Sequence, residues 1–174
     1  MPSGRTHDKI TLAIAPPTFG LAWLASGDLQ IGVITTLAML AGGLMFGPDL
    51  DIDSTQYRRW GPLRWIWLPY RGFIRHRSRL SHGILFGTAI RVAYFLVVVG
   101  LVLTVAIAAR EIYLYRAPAE PGLALEGAER VWTVVGGVAP VYHAAAFTGL
   151  WVGAASHTLA DIVGSTVKAI WNAL

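Results

Sequence analysis

Four of the five histidines and five of the six aspartates fall into four short groups: His7-Asp8, Asp49-x-Asp51-x-Asp53, His76 with His82, and His157 with Asp161. Imidazole nitrogens mixed with carboxylate oxygens suit zinc, manganese, iron or magnesium, and they suit centres that hold two ions. The spacings fit coordination. An extended Asp49–Asp53 run would point three carboxylates to one side. On a helix, His157 and Asp161 would share a face, being four residues apart. The chain has no cysteine, which excludes disulfides, thiolate zinc sites and cysteine-held iron–sulfur clusters. A calcium loop of the EF-hand type also fails, because Ser54 stands where that loop needs glycine and Trp60 where it needs glutamate.

Each group also has a plainer reading. Asp49 after Gly47-Pro48 fits a turn, Asp51 and Asp53 can pair with nearby arginines, and Ser81 with His82 can cap a following helix. His7-Asp8 alone fits a solvated tail. His157 and Asp161 lie in an apolar segment, where ionisable groups normally have a partner. His143 precedes His157 by 14 residues, about 21 Å along a continuous helix, so it reads as a hydrogen-bonded core histidine outside the cluster. In a catalytic site a spare carboxylate such as Asp53 would accept a proton. Arg77 or Arg79 would hold a phosphate.

The elements that must gather these groups follow from composition. Of 174 residues, 55% are hydrophobic and 14% charged, against about 25% charged in an ordinary soluble domain. Four uncharged apolar stretches predict spans near 10–27, 29–47, 84–109 and 132–160, since roughly 20 apolar residues cross a bilayer core. Pro16-Pro17 should kink or break the first. The expected fold is therefore all-α, a single membrane-embedded domain of about four transmembrane helices. Seven arginines and no acidic residue lie between Asp53 and His82. With four crossings, both termini and this loop share a face carrying ten Lys/Arg, against three on the 110–130 connection, which places that face in the cytoplasm. Arg91, set into the third span, should reach the cytoplasmic face or pair with an aspartate of the 49–53 cluster. The Trp60–Tyr70 segment, rich in Trp, Tyr and Arg, suits the headgroup layer. That makes lipid a better partner for the loop than nucleic acid. The topology brings all four His/Asp groups to the cytoplasmic end of the bundle.

The runs GPDLDIDS (47–54), RWGPLRWIWLPY (59–70) and HRSRLSHG (76–83), with SGRTHD (3–8) and SHTLAD (156–161), resemble a family of uncharacterised bacterial metal-binding membrane proteins. That family is in turn similar to the YdjM-like inner-membrane metal-dependent hydrolases. The resemblance implies an inner-membrane protein holding one or two divalent ions, zinc first and manganese, iron or magnesium as alternatives. It implies the ligand set His7, Asp8, Asp49, Asp51, His76, His82, His157 and Asp161, with Asp53 carried less directly. The implied activity is hydrolysis of a phosphoester or lipid-like substrate. Here the two histidines of the middle motif stand one residue further apart than in the wider group, which leaves their separate roles open. A non-catalytic protein, structural or adaptor, whose metal clamps helix ends would use the same ligands. Substrate, catalytic residues, protein partners and oligomeric state stay open.

Overall fold

The computed structural model describes residues 3–76, 78, 80–84, 86–115 and 121–173. Among these the regular structure is helical, with no strand. The chain forms two compact units, Met1–Arg91 with Val141–Leu174, and Val92–Pro140.

In the first unit, helix α1 (Gly4–Ser26) starts at Ser3, whose hydroxyl accepts from the Thr6 N–H. It runs through Pro16 and Pro17 without ending, so of the kink or break expected there the break does not occur. The two prolines remove the donors that would meet the carbonyls of Leu12 and Ala13, and both of those residues are exposed. Gly27 closes the helix in the left-handed conformation at φ 68°, the usual role of glycine at this position. Asp28 then caps α2 (Leu29–Leu44), its carboxylate accepting from Gln30 N–H at 2.7 Å. The tight cap-to-cap turn folds α2 back along α1.

Helix α7 (Pro140–Trp171) meets α2 through glycine. A methyl group on Gly149 would lie 2.2 Å from the Thr35 carbonyl oxygen, one on Gly153 2.1 Å from that of Met39, and one on Gly42 2.4 Å from that of Leu150. The two backbones are therefore in direct contact. The buried residues Ala145, Gly149, Gly153, His157 and Asp161 recur every four positions, one face of a helix. A stripe of small residues thus ends in two polar side chains.

After α2 the chain makes a 3-10 turn (Pro48–Asp51), α3 (Thr55–Arg58), a second 3-10 turn (Gly61–Trp67) and α4 (Leu68–Phe73). The Trp/Arg-rich segment divides by side. Trp67 is fully buried, edge-on to Phe46, Trp60 and Tyr70 at ring separations of 5.3, 5.2 and 5.7 Å, whereas Leu63, Trp65 and Leu68 are exposed. Ile66, Trp67 and Tyr70 are the part of this segment that belongs to the core.

Helix α5 (Phe86–Tyr115) begins in the first unit and continues into the second, where α6 spans Pro121–Gly136. The 110–130 connection is helical up to Tyr115 and again from Pro121. Among the described residues α5 alone is long and apolar enough to cross a bilayer. Helix α2, at 16 residues, is about 24 Å long and falls short of a core of about 30 Å. The expected fourth span is interrupted between Gly136 and Pro140, and passes the same test only as the broken pair Leu125–Gly136 and Pro140–Trp171. Paired glycines with a following proline end one helix and start another. A bundle of four uninterrupted spans is therefore not what the chain forms.

Candidate metal centre

His7 and Thr11 face inward from the first turns of α1, and His157 and Asp161 from the last turns of the small-residue stripe on α7. The His7 and His157 rings stack at 3.8 Å and 15°. His7 Nε2 lies 3.2 Å from Asp161 Oδ1, and His157 Nε2 lies 4.0 Å from Asp161 Oδ2. Asp49, on the 3-10 turn after α2, brings Oδ2 to 3.2 Å from His157 Nε2. These residues line a cavity of about 300 Å³, which Gly4, Asp8 and the 53–58 segment complete.

A second group adjoins the first. One donor atom each from Asp49, His76 and His82 lie within 4.8 Å of one another, as do those of His7, His157 and Asp161. Asp49 Oδ1 is 3.4 Å from His82 Nε2. Asp51, with no exposed side-chain surface, accepts from His76 Nδ1 at 2.9 Å.

The donor set fits a cation. Buried polar atoms are normally hydrogen-bonded. Here His7 Nδ1, His157 Nε2, His82 Nε2, Asp49 Oδ1, Asp51 Oδ2 and both Asp161 oxygens are buried without a hydrogen-bond partner. Burial, with His157 alongside, lowers the His7 pKa and keeps the ring neutral, the form a metal requires. Burial alone would raise the Asp49 carboxyl, but a proton carried toward it by His157 or His82 outweighs that and holds Asp49 well below the usual carboxylate range. Asp49 is therefore an anion between imidazoles.

Gln56, which carries no sequence signal, organises the site. Its amide nitrogen donates to the Gly43 carbonyl at 2.8 Å and stands 3.2 Å from His157 Nδ1, while its oxygen accepts from the Asp49 N–H at 3.2 Å. A methyl group on Gly47 would meet that amide at 2.2 Å, so glycine is needed where Gln56 crosses. In this orientation His157 Nδ1 accepts and its ring proton sits on Nε2. Opening Nε2 to an ion would move that proton to Nδ1 and would require the Gln56 amide to turn.

The expected ligands divide. His7, Asp49, His76, His82, His157 and Asp161 converge in the two groups, with Asp51 against His76. Asp8 and Asp53 line the cavity but carry their own cations. Arg59 grips Asp8 with both terminal nitrogens, one at 2.9 Å, and also donates to the Leu44 carbonyl at 2.8 Å. Arg58 holds Asp53 at 3.0 and 2.8 Å. Each guanidinium lowers the pKa of its carboxylate. That makes Asp53 a poor proton acceptor, contrary to the role expected from its position. Arg77 and Arg79, the expected phosphate holders, lie outside the described residues.

Arg91 is fully buried and donates to the Ser81 carbonyl at 2.6 Å and to Thr88 Oγ1 at 3.2 Å, with the Tyr70 hydroxyl beside it. It neither reaches solvent nor makes an ion pair with Asp49 or Asp51; it braces the loop that carries His82. His143 is exposed, because it lies off the row of buried small residues, so the core role expected for it does not hold.

No curated protein and no solved structure matches the chain. The profile of one family does match, over residues 2–171, and its description agrees with the donor set. On that match the chain belongs to the family described as uncharacterized metal-binding protein (DUF2227).

Proposed function

We propose that the protein is a membrane-associated, divalent-metal-dependent hydrolase acting on a phosphoester or lipid-like substrate, with zinc as the first candidate ion. The observation that carries this reading is the convergence of His7, His157, Asp161 and Asp49, with donor atoms left without hydrogen bonds, on the wall of one cavity of about 300 Å³. An ion held there supplies Lewis-acid chemistry, acidifying water and polarising a phosphoryl oxygen. The chain's own residues do the rest. Burial favours a neutral His7, and Asp49 stays anionic between its imidazoles. Arg58, on the cavity wall, offers a guanidinium that matches phosphate geometry once it is shared with Asp53.

The membrane part of the proposal rests on the exposed apolar length of α5. His82 precedes α5 and His157 follows it, yet both stand against Asp49. If α5 crosses a bilayer, the chain must cross back before His157, and the broken apolar pair ending in α7 has the length to do so. With two crossings instead of four, the ten-to-three excess of Lys/Arg is unchanged. Both termini and the metal centre then face the cytoplasm of the inner membrane.

A second reading has its own support. His7, His157, Asp161 and Asp49 make four protein donors, the number that closes a structural zinc site. Activity separates the two. Purified protein loaded with zinc, manganese or magnesium should hydrolyse phospholipid vesicles or a soluble phosphoester, and Asp161→Ala should abolish turnover while the protein stays folded by circular dichroism. Bound metal with no hydrolysis under any of the three ions would sink the enzymatic reading and leave the structural one.

A further inference from the structure

The two ligand groups meet at a single carboxylate. We infer that the centre holds two divalent ions bridged by Asp49, one bound by His7, His157 and Asp161 and the other by His82 and His76. The inference rests on the reading of the cluster as a metal centre and deepens it.

The argument is one of lone pairs. His82 Nδ1 is 2.9 Å from Ser81 Oγ. That hydroxyl has the carbonyls of Arg75 and Ser78 within 3.3 and 3.4 Å to receive its own proton, which lets it accept from Nδ1–H. A neutral ring protonated on Nδ1 leaves Nε2 bare. This bare nitrogen faces Asp49 Oδ1 at 3.4 Å, and neither atom has a hydrogen bond. Two buried acceptors turned toward each other are unfavourable unless a cation lies between them. His76 is set the same way. Its Nδ1 donates to Asp51 Oδ1 at 2.9 Å, the carboxylate–histidine pairing that orients metal ligands, and this leaves its Nε2 free.

Asp49 Oδ2 faces the other group, at 3.2 Å from His157 Nε2. One carboxylate therefore presents one oxygen to each set of imidazoles. Two ions so bridged would stand about 3.5–4 Å apart, the separation of two-metal hydrolytic centres. Asp51 Oδ2, buried and without a hydrogen bond, offers further negative charge on the His82 side, at 4.0 Å from His82 Nδ1.

The test is manganese loading of the purified full chain, read by elemental analysis and electron paramagnetic resonance. Two manganese ions per chain with an exchange-coupled spectrum are expected. His82→Ala should reduce the content to one ion and leave an uncoupled six-line signal. Because His82→Ala could disturb the loop, Asp49→Asn is the companion variant. It keeps the shape, and coupling should disappear whether one ion or two remain. A single ion per chain at saturation, or two ions that never couple, overturns the inference. Hydrolysis by a chain holding one ion would leave the proposed function standing while removing the second site, so the two failures are distinguishable.

Discussion

His7, His157 and Asp161 ride on two long helices, whereas Asp49, His76 and His82 hang on a 3-10 turn and on the stretch between α4 and α5. The helix-borne side chains are almost sealed: 3% of the His157 side chain is exposed, against 32% of that of His76. The first group is placed by backbone contact, the glycines of α7 lying against α2. The second is placed by hydrogen bonds from side chains to backbone, ending on the buried Arg91. Backbone packing leaves little freedom, because close-packed interiors do not deform continuously. A lattice of single hydrogen bonds can be loosened one bond at a time. The first group should therefore fail with the fold, and the second should fail before it.

The largest effect expected from this contrast is at Gly153. A methyl group there would sit 2.1 Å from the Met39 carbonyl oxygen and 2.6 Å from the Gly43 nitrogen. Neither is the end of a flexible side chain, so the helices must part. Overpacking of this kind costs about 1–3 kcal/mol or more, which for a chain of this size lowers Tm by several degrees. Gly153→Leu should lower Tm and lose the ion held by His7, His157 and Asp161, as read by thermal melting and metal content. An unchanged Tm would mean that the α2–α7 contact does not set this group.

Arg91 gives the complementary result. Arg91→Met removes the donor to the Ser81 carbonyl. A buried acceptor left unpaired costs about 1–3 kcal/mol, enough to weaken an ion bound by His82 roughly tenfold. Metal titration should show that loss with the His7 side unaffected, and Arg91→Lys should restore part of it. Equal weakening of both groups would erase the contrast.

How much of this was legible in the sequence follows the same division. Helical spacing puts His157 and Asp161 on one face, and the row behind them at 145, 149 and 153 has the same period, though the segment's apolar character suggested only a span. Asp8 stands outside the two convergent groups because neighbours one residue apart on a helix do not face the same way. With His7 turned inward, Asp8 points outward to Arg59. The aspartate triplet was expected to be extended. As a 3-10 turn it sets Asp49 between His82 and His157 and Asp51 against His76, and it leaves Asp53 to Arg58. Gln56 could not have been found, since a glutamine in a polar loop is ordinary until Gly47 and Gly43 are seen beside it. The helices themselves were legible from apolar length, but the break before Pro140 was not, because hydropathy averaging runs across it.

Acid should separate the groups by the smallest effects of all. The folded-state pKa of His7 lies below the ordinary 6.5, chiefly through burial. Between that lowered value and 6.5 the unfolded chain binds more protons than the folded one, so stability falls as pH drops through this window. Metal binding falls in the same direction, because protons compete for the ring. Asp8, held low by Arg59, acts in a later window: its contribution is intact above 3.8 and is lost as pH falls toward its lowered folded value. Two acid phases are therefore expected in a denaturation curve of the metal-free protein. Asp8→Asn should shrink the lower one, to which Asp49 also contributes, and His7→Gln should remove the upper one. A curve with a single phase insensitive to His7→Gln would show that the sealed histidine is not held neutral by its burial, and the distinction between the two groups would then rest on packing alone.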